Sequence, residues 1–529
     1  SSGLKILVSA VRFCPWAHNM KTLNLNKLLT KALDCHKKGS INEADKIYLK
    51  ILTEYPNDFD SNHLHGVVLS QKKNYKSSIK YYEKAFSIKP KNCELLNNYA
   101  ISLRNINDYE QCEIMLKKAI SHEKSFTKSY LNLSNCYLAQ EKYHEALKVL
   151  KDGKKFDKEN IRFDQNIIGI YLQIYNKDKK SSDLNNCIEV LDSIHINESF
   201  DQKLICNYAL AYLWNNNLDK SSSLFKIAEK KSQIPPNIKT LLDMKDRKVL
   251  EYLVKHEYEQ ICHIDSDVDG IRNMKITQDY FNTLEKVNNM DSKDYKEGDL
   301  KFISTLHQIK YNKPVKTEPP YLNENLDYKN IQSVYTSSQP EICVVDDILS
   351  QEFLIDLEIF FRCANIFKRP YPRGYVGTFL GTGMANKPIL QFSKDLTLKL
   401  PNIFNKYHLT QAWAFKYDSQ QKGIGIHADD AKVNVNLWLT SENANLDNHS
   451  GGMIIWKKKP NETSNFSDYN SSINSEKMLL DVSESDYIRI PYKANRAVIF
   501  NSKLYHATDD INFDNKYINR RINVTFLYS

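Results

Sequence analysis

Two histidines and an aspartate in the C-terminal part of the chain have the types and spacing of metal ligands. In the segment Gly423-Ile-Gly-Ile-His-Ala-Asp429, strand alternation places His427 and Asp429 on one face. Asp430 offers a second carboxylate, but it points to the opposite face. His506, directly after a predicted strand, can supply a third ligand. Two histidines and one carboxylate leave positions open on a metal. This suits non-haem iron(II) and oxygen chemistry, although zinc accepts a similar set.

An arginine lies on the last predicted strand, 519–528. Arg521, Asn523 and Thr525 share one face, and apolar side chains alternate with them. A buried guanidinium needs an anionic partner, and its planar fork fits a carboxylate. Strand parity favours Arg521 over Arg520 for this role.

Three further polar side chains are candidates for the same cavity. Tyr417 ends the strand before the histidine motif, and Asn434 and Asn436 alternate on the next strand. Asparagine is disfavoured inside strands, so two of them suggest a polar cavity. The alternatives are an ordinary core aromatic for Tyr417 and a solvent-facing edge for the asparagines.

The elements around these residues are predicted to be short strands. A strand at 342–345 and an amphipathic helix at 351–363 come first. The remaining strands are predicted at 411–417, 423–429, 432–440, 452–457, 495–501 and 519–528. Many short, mostly antiparallel strands predict a sandwich or jelly roll.

The order of His-x-Asp, a distal histidine and an arginine resembles the iron(II)- and 2-oxoglutarate-dependent dioxygenases, over residues 338–529. The ending Arg521-Ile-Asn-Val-Thr-Phe526 is similar to that of the AlkB-type branch. The opening at 341–363 and the turn Ser450-Gly-Gly452 look more like the prolyl-hydroxylase branch.

This resemblance implies a double-stranded β-helix with iron(II) held by His427, Asp429 and His506. The 2-oxoglutarate would chelate the metal and pair its distal carboxylate with Arg521. O2 would be consumed, with ascorbate as a reductant, and the intact carboxylate of Asp429 favours hydroxylation over halogenation. The co-substrate would also meet side chains of the strands named above: Asn523, Tyr417, Thr525, Asn436 and Asn434.

The first half of the chain repeats with a period of 34 residues. Small residues recur in two series and larger ones in two more, each series in the same helical phase. The series are Ala44, Ser78, Cys112, Ala146; Ala32, Gly66, Ala100, Ser134; Ile41, Tyr75, Tyr109, Tyr143; and Tyr48, Tyr82, Leu116, Leu150. This pattern resembles tetratricopeptide repeats over 25–160, with a degenerate unit with an insertion at 161–201 and a further unit at 202–235.

The predicted organisation is therefore an N-terminal tetratricopeptide α-solenoid followed by a C-terminal double-stranded β-helix. The predicted domains are an extension at 1–24, repeats at 25–236, a helical linker region at 237–337 and the oxygenase domain at 338–529. Such repeats stack into a groove that, by resemblance, binds a protein or peptide.

The predicted function is hydroxylation of a protein or peptide recruited by the repeats. One alternative is a catalytically silent adaptor with a degenerate jelly roll. Another is a dioxygenase of a small molecule or a nucleic-acid base. The net charge of +9, from 73 basic and 64 acidic residues, includes no long basic run and gives little support to nucleic acid.

Two further patterns are set aside. The acidic turn that begins at Asp265 opens like a calcium loop, but Ile276 stands where a bidentate glutamate is needed. No apolar stretch is long enough to cross a membrane, and the ten cysteines form no disulfide-type pattern. These observations predict a cytoplasmic protein.

Overall fold

The computed structural model describes residues 20–244, 246–265, 276–419, 423–470 and 474–529. Contacts divide the chain into two compact units, Ser1–Asp178 and Lys179–Ser529. Residues 266–270 of the acidic turn, and with them most of the calcium-type motif, lie outside the described residues. Among the described helices, none is long and apolar enough to span a membrane.

The N-terminal half consists of consecutive helical hairpins, as the repeat pattern predicts. The first unit holds α1 to α9, and α10 to α12 belong to the second. The repeat helices are α1 Met20–Lys37, α2 Ile41–Glu54, α3 Phe59–Gln71, α4 Tyr75–Ile88, α5 Cys93–Asn105, α6 Tyr109–His122, α7 Thr127–Leu138, α8 Tyr143–Lys154, α9 Ile161–Asp178, α10 Ser181–Asp192, α11 Gln202–Trp214 and α12 Leu218–Ser232.

The small residues of the repeat are buried where helices pack closely against one another. Ala44, Ser78, Cys112 and Ala146 are all 0% exposed. A Cβ placed on Gly66 of α3 would lie only 2.6 Å from the ring of Tyr82 on α4. The recurring small residue therefore allows the close helix contact that the periodicity predicts.

The turn between the two helices of each hairpin also repeats its backbone conformation. Gly39, Lys73, Asn107 and Glu141 are spaced 34 residues apart and all have positive φ, at 79°, 61°, 63° and 56°. Only glycine adopts this left-handed region without a steric penalty. The turn is thus imposed by the packing of the hairpin rather than by the residue type.

The second unit continues with helices and two antiparallel sheets. Its helices are α13 Ile238–Leu242, α14 Lys248–Asp265, α15 Gln278–Asn288, α16 Glu297–Thr305, α17 Tyr328–Ser337, α18 Gln351–Cys363, α19 Lys387–Lys399, α20 Pro401–Phe404, α21 Phe466–Tyr469 and α22 Ser475–Val482. Its strands are β1 Ile342–Val345, β2 Arg369–Tyr371, β3 Tyr375–Phe379, β4 Leu409–Tyr417, β5 Val433–Trp438, β6 Met453–Trp456, β7 Tyr487–Ile490, β8 Ala497–Asn501, β9 His506–Thr508 and β10 Ile522–Tyr528.

The strands form a seven-stranded sheet in the order β1-β8-β5-β10-β4-β3-β2 and a three-stranded sheet in the order β7-β6-β9. One apolar core joins them. Trp438 and Phe500 of the larger sheet belong to the same cluster as Met453 and Ile455 of the smaller sheet. The side chains on the inner face of the larger sheet therefore look towards the smaller sheet, which is the arrangement that a site between the sheets requires.

The last repeat packs within the second unit. The indole Nε1 of Trp214 on α11 donates to the carbonyl of Leu409 at 2.8 Å, and Gln202 Nε2 donates to the carbonyl of Gly381 at 3.0 Å. The contacts of α11 thus cross the boundary drawn from the sequence at residue 236, and this end of the repeat array is held against the larger sheet.

The predicted strand at 423–429 is wrong in extent. Only His427 pairs with a neighbour, as an isolated bridge to His506, and Gly423 has a φ of 57° that interrupts an extended chain. Four strands were not predicted, one of them the short β9 that begins at His506. Pro370 lies in β2 and Gly377 in β3, and both residue types weaken a strand pattern. The remaining one, β7, follows a long polar segment without clear alternation.

The close contact of α3 and α4 yields a stability prediction. Gly66→Ala should lower the free energy of unfolding by about 1–2 kcal/mol, because the added methyl overlaps the Tyr82 ring. Gly169→Ala on α9 is the matched control. A Cβ there meets nothing within 4 Å, so the substitution should stabilise the helix by about 0.5–1 kcal/mol. Urea denaturation followed by circular dichroism measures both. Equal shifts of the two variants would contradict the packing assignment.

Candidate metal centre

The two histidines are brought together by a short antiparallel bridge. The N–H of His427 donates to the carbonyl of His506 at 3.0 Å, and the N–H of His506 donates back at 2.8 Å. The two imidazole rings consequently lie 4.2 Å apart between centroids. Residues 79 positions apart in the chain thus face one another in adjacent backbone segments.

Each histidine is oriented by its own local carbonyl. Nδ1 of His427 lies 2.9 Å from the carbonyl of Gly425, and Nδ1 of His506 lies 2.9 Å from that of Leu504. A carbonyl only accepts, so Nδ1 carries the hydrogen and Nε2 keeps a free lone pair. This arrangement of a donating Nδ1 and a free Nε2 is typical of metal-ligating histidines.

Burial sets the protonation state of His427. Burial, followed by the charge of neighbouring His506, lowers the pKa of His427 to about 4. The imidazole is therefore neutral at neutral pH and needs to lose no proton before it ligates a metal.

Asp429 lies beside both histidines and is held by two amides. Its Oδ2 accepts from Asn434 Nδ2 at 3.1 Å and its Oδ1 from Asn470 Nδ2 at 3.2 Å. Burial raises the pKa of Asp429, but the side chains of His506, His427 and Asn470 outweigh it and hold the pKa below its usual value. The carboxylate is thus ionised and fixed in orientation.

The three side chains offer a ligand set of suitable size. One carboxylate oxygen of Asp429 lies 3.8 Å from Nε2 of His427, and the other lies 3.5 Å from Nε2 of His506. The ligand atoms all lie within 4.8 Å of one another. Asp430, the competing carboxylate, is exposed. Nitrogen and carboxylate donors at these separations fit a divalent transition metal.

Arg521 lies directly before β10 and is buried, with one hydrogen-bonding nitrogen left unsatisfied. It is 2% exposed. Its Nε donates to the carbonyl of Gly451 at 2.6 Å and its Nη2 to that of Gly452 at 3.2 Å. Among the described residues, Nη1 has no hydrogen-bond partner. No carboxylate of the described residues pairs with the side chain either, so a buried positive charge is left for an anion to neutralise.

Aromatic rings surround the guanidinium of Arg521. Its Cζ lies 4.9 Å from the ring centroid of Tyr417, 5.6 Å from Trp438 and 5.8 Å from Tyr492. Contacts of this kind stabilise a cation without consuming its N–H donors. They also lower the local dielectric, which strengthens an ionic contact with a carboxylate.

The metal-ligand set and Arg521 line one cavity of about 660 Å³. The remaining candidates from the sequence also line it and are buried: Tyr417, Asn434, Asn436, Asn523 and Thr525. The solvent-facing alternative for the asparagines is therefore wrong, since Asn434 is 0% exposed. Alternation along β5 and β10 turns these side chains inward, as strand parity predicts.

A small hydrogen-bond network fixes the floor of the cavity. Asn436 Nδ2 and Asn523 Nδ2 both donate to the hydroxyl of Thr525 at 3.2 Å, and Trp438 Nε1 donates to Asn436 Oδ1 at 2.9 Å. Oδ1 of Asn523 has no partner among the described residues. The floor thus presents ordered polar atoms in the same cavity as the metal-ligand set and Arg521.

Two features of the site were missed from the sequence. Asn470, which holds Asp429, belongs to an asparagine- and serine-rich segment without periodicity, so no signal marked it. The carbonyls of Gly451 and Gly452 hold Arg521. Gly451 has a φ of 80°, and a Cβ on Gly452 would overlap the carbonyl of Ile490. The double glycine could have been identified as a position of close backbone approach.

Arg520 has a different environment from its neighbour. Its Nη2 lies 2.6 Å from Glu259 Oε2 and 3.8 Å from Asp418 Oδ1. It does not line the cavity. The parity argument that distinguishes the two arginines therefore agrees with their positions on opposite faces of the chain.

The family-model comparison falls on the repeat half. Residues 71–153, from the end of α3 to α8, match the family model described as anaphase-promoting complex, cyclosome, subunit 3. A DnaJ homolog subfamily C member 7 homolog of Dictyostelium discoideum is 28% identical over 101 residues, which are 18% of this chain and 19% of that protein. The chain therefore spans about a fifth of the length of this curated relative.

Two solved structures are similar in outline to part of the chain. PilF of Pseudomonas aeruginosa is 14% identical with a TM-score of 0.34, covering 40% of this chain and 93% of that one. YrrB, titled a TPR protein with an unusual peptide-binding site, is 18% identical with a TM-score of 0.28, covering 33% and 93%. The family-model match and the helical hairpins identify the N-terminal half as a solenoid of tetratricopeptide-like repeats, followed by an antiparallel β-sheet region.

Proposed function

We propose that the C-terminal region is an iron(II)- and 2-oxoglutarate-dependent dioxygenase that hydroxylates a protein or peptide recruited by the repeats. The observation that carries the proposal is that one cavity contains both a His-Asp-His ligand set and a buried arginine. The Nη1 of this arginine has no hydrogen-bond partner within the described ranges of the chain. A metal explains the first feature, and an anion with a carboxylate at its far end explains the second.

The strand arrangement supports a double-stranded β-helix. In the larger sheet, β8, β5, β10 and β4 are neighbours in that order. The facing sheet consists of β7, β6 and β9. In this interpretation the bridge at His427 adds the start of a fourth strand beside β9. The ligands would then come from the ends of neighbouring strands, and the arginine from the start of β10 on the opposite wall.

The chain's own residues have separable roles in this reaction. His427, Asp429 and His506 would hold iron(II), and Arg521 would bind the distal carboxylate of 2-oxoglutarate. When bound, the iron supplies O2 activation coupled to oxidative decarboxylation of 2-oxoglutarate, giving succinate, carbon dioxide and a hydroxylated product. Asn434 and Asn470 fix the carboxylate of Asp429. Asn436, Asn523, Thr525 and Tyr417 line the cavity around the co-substrate.

A protein-binding adaptor is the second candidate, and the comparisons favour it directly. The family-model match falls on the repeats, which are typical of protein-binding modules. An adaptor alone gives no account of the neutral His427, the ionised Asp429 and the unpartnered Arg521 Nη1 in a shared cavity. Turnover of 2-oxoglutarate separates the two functions.

The metal assignment predicts loss of iron and of turnover together. Asp429→Ala and His506→Ala should each lower succinate formation from 2-oxoglutarate, with iron(II) and ascorbate, by more than about 100-fold. Bound iron, measured by inductively coupled plasma mass spectrometry after desalting, should fall in parallel.

The neighbouring carboxylate provides the matched control. Asp430→Ala removes an exposed acid one residue away that lines the cavity but lies outside the ligand set, and it should retain the bound iron. Full activity of Asp429→Ala would exclude the metal assignment. Absence of both turnover and bound iron in the unmodified chain would leave the adaptor as its function.

The anion assignment predicts a change in co-substrate affinity. Arg521→Lys keeps the charge but loses the fork, so the KM for 2-oxoglutarate should rise about tenfold or more, with iron content unchanged. Arg520→Lys alters the adjacent residue, whose partner is Glu259, and should leave this KM unchanged. An unaltered KM in Arg521→Lys would remove Arg521 from the co-substrate site.

A further inference from the structure

Arg373 is a second arginine in the cavity, and unlike Arg521 it reaches solvent. It lies in the turn between β2 and β3, is partly exposed, and lines the same cavity as the metal-ligand set. Among the described residues that line this cavity, Arg373 and Arg521 are the two arginines, and no lysine accompanies them. The cavity therefore has one cationic side chain that is buried and one that an incoming molecule can reach.

The turn that carries Arg373 is fixed on both sides. The N–H of Gly374 donates to the carbonyl of Tyr371 at 3.2 Å, and the carbonyl of Gly374 accepts from the N–H of Asp418 at 2.8 Å. The rings of Tyr371 and Tyr375 stack with their centroids 4.6 Å apart and their planes 10° from parallel. A side chain on a fixed turn loses less conformational freedom when it binds a ligand.

The guanidinium of Arg373 lies against Gly425, two residues before the ligand His427. A Cβ on Gly425 would lie 2.4 Å from Nη1 of Arg373 and 2.8 Å from its Cζ. The missing side chain of Gly425 thus leaves the space that the guanidinium occupies. The carbonyl of the same glycine orients the ring of His427. A group bound by Arg373 would therefore lie beside the segment that presents a metal ligand.

The charge of Arg373 is not neutralised by the protein. Within the ranges that the structure describes, no carboxylate forms an ion pair with it. Burial raises the pKa of Tyr375, and Arg373 is among the charges that oppose this rise. Asp430 also lines the cavity, but it lies near Tyr469, whose pKa is raised by burial and then by the charge of Asp430. The two exposed charges thus occupy separate places in the cavity.

These charges favour a ligand with a single, isolated anionic group. A guanidinium binds a carboxylate or a phosphate through its planar fork. A nucleic acid carries a phosphate on every nucleotide and is bound by several cations together. Here one arginine is accessible, and the exposed carboxylate of Asp430 would repel further phosphates. An acidic side chain within an otherwise uncharged stretch of peptide fits both conditions.

We propose that Arg373 binds the carboxylate of an aspartate or glutamate side chain of the peptide substrate, beside the residue that is hydroxylated. This inference rests on the proposed function and names the substrate class of the same site. The two arginines then divide their tasks: Arg521 binds the carboxylate of the co-substrate, and Arg373 binds that of the substrate.

The test uses three pools of fluorescein-labelled heptapeptide amides that differ only in the central residue, which is glutamate, glutamine or lysine. The other positions are mixtures of alanine, leucine, proline and tyrosine. Fluorescence anisotropy measures their affinity for the full chain with iron(II) and 2-oxoglutarate in the absence of oxygen. The glutamate pool should bind about fivefold or more tightly than the glutamine pool, because it alone pairs with Arg373.

Charge reversal provides the variant that a folding defect cannot imitate. Arg373→Gln should remove the difference between the glutamate and glutamine pools, and Arg373→Glu should make the lysine pool the tightest binder. Arg369→Gln is the matched control. It changes an exposed arginine of β2 that does not line the cavity, and it should keep the preference of the unmodified chain. Equal affinity of the unmodified chain for the pools, or a glutamate preference that survives Arg373→Glu, would overturn the proposal.

Two further measurements separate the alternatives. Arg373-dependent binding of a labelled oligothymidylate that is tighter than binding of the glutamate pool would overturn the assignment to a peptide. Succinate formation without peptide, measured on the unmodified chain, tests the dioxygenase independently. Its absence, together with an Arg373-dependent preference for glutamate, would refute the proposed function and retain the carboxylate site. Turnover without any charge preference would overturn only the role of Arg373.

Discussion

The reciprocal backbone hydrogen bonds between His427 and His506 are the constraint on which the candidate centre depends. They join two segments that are far apart in the chain and set the separation of the rings. Everything else then follows from local geometry. Each imidazole is turned by a carbonyl two residues before it, and Asp429 is two residues after His427. Loss of this one bridge would disperse the ligands even if every side chain were kept.

The larger sheet contributes the polar side chains that line the cavity next to that bridge. Its inner face carries asparagine, threonine and arginine where an ordinary core would have apolar side chains, and the facing sheet keeps these groups from water. Burying them costs free energy unless they find partners. Most do, through Thr525, Gly451 and Gly452. Nη1 of Arg521 and Oδ1 of Asn434 and Asn523 have no partner in the part of the chain that the structure describes. A polar co-substrate bound beside the metal ligands would supply hydrogen bonds to these unsatisfied groups.

Periodicity made the repeat helices and the inward faces of β5 and β10 predictable. A sequence period of 34 residues, or of two, indicates which side chains lie on the same surface. The same reasoning selected Asp429 and Arg521 over their neighbours. It failed where contacts are not periodic. Asn470 comes from an irregular segment, and the predicted strand around Gly423 is only a bridge. The strand pattern of β3 is interrupted by Gly377, where a Cβ would overlap the ring of Phe415. Those features depend on tertiary contacts that no local pattern encodes.

The left-handed turns at Gly39, Lys73, Asn107 and Glu141 have a consequence for how this array could have arisen. A hairpin copied by gene duplication carries its turn geometry with it, because the helix contact enforces that geometry. The residue at the turn is then free to drift, at a modest energetic cost, from glycine to lysine or glutamate. The backbone angle at these four positions is therefore maintained by helix packing, and four different amino acids are accepted there.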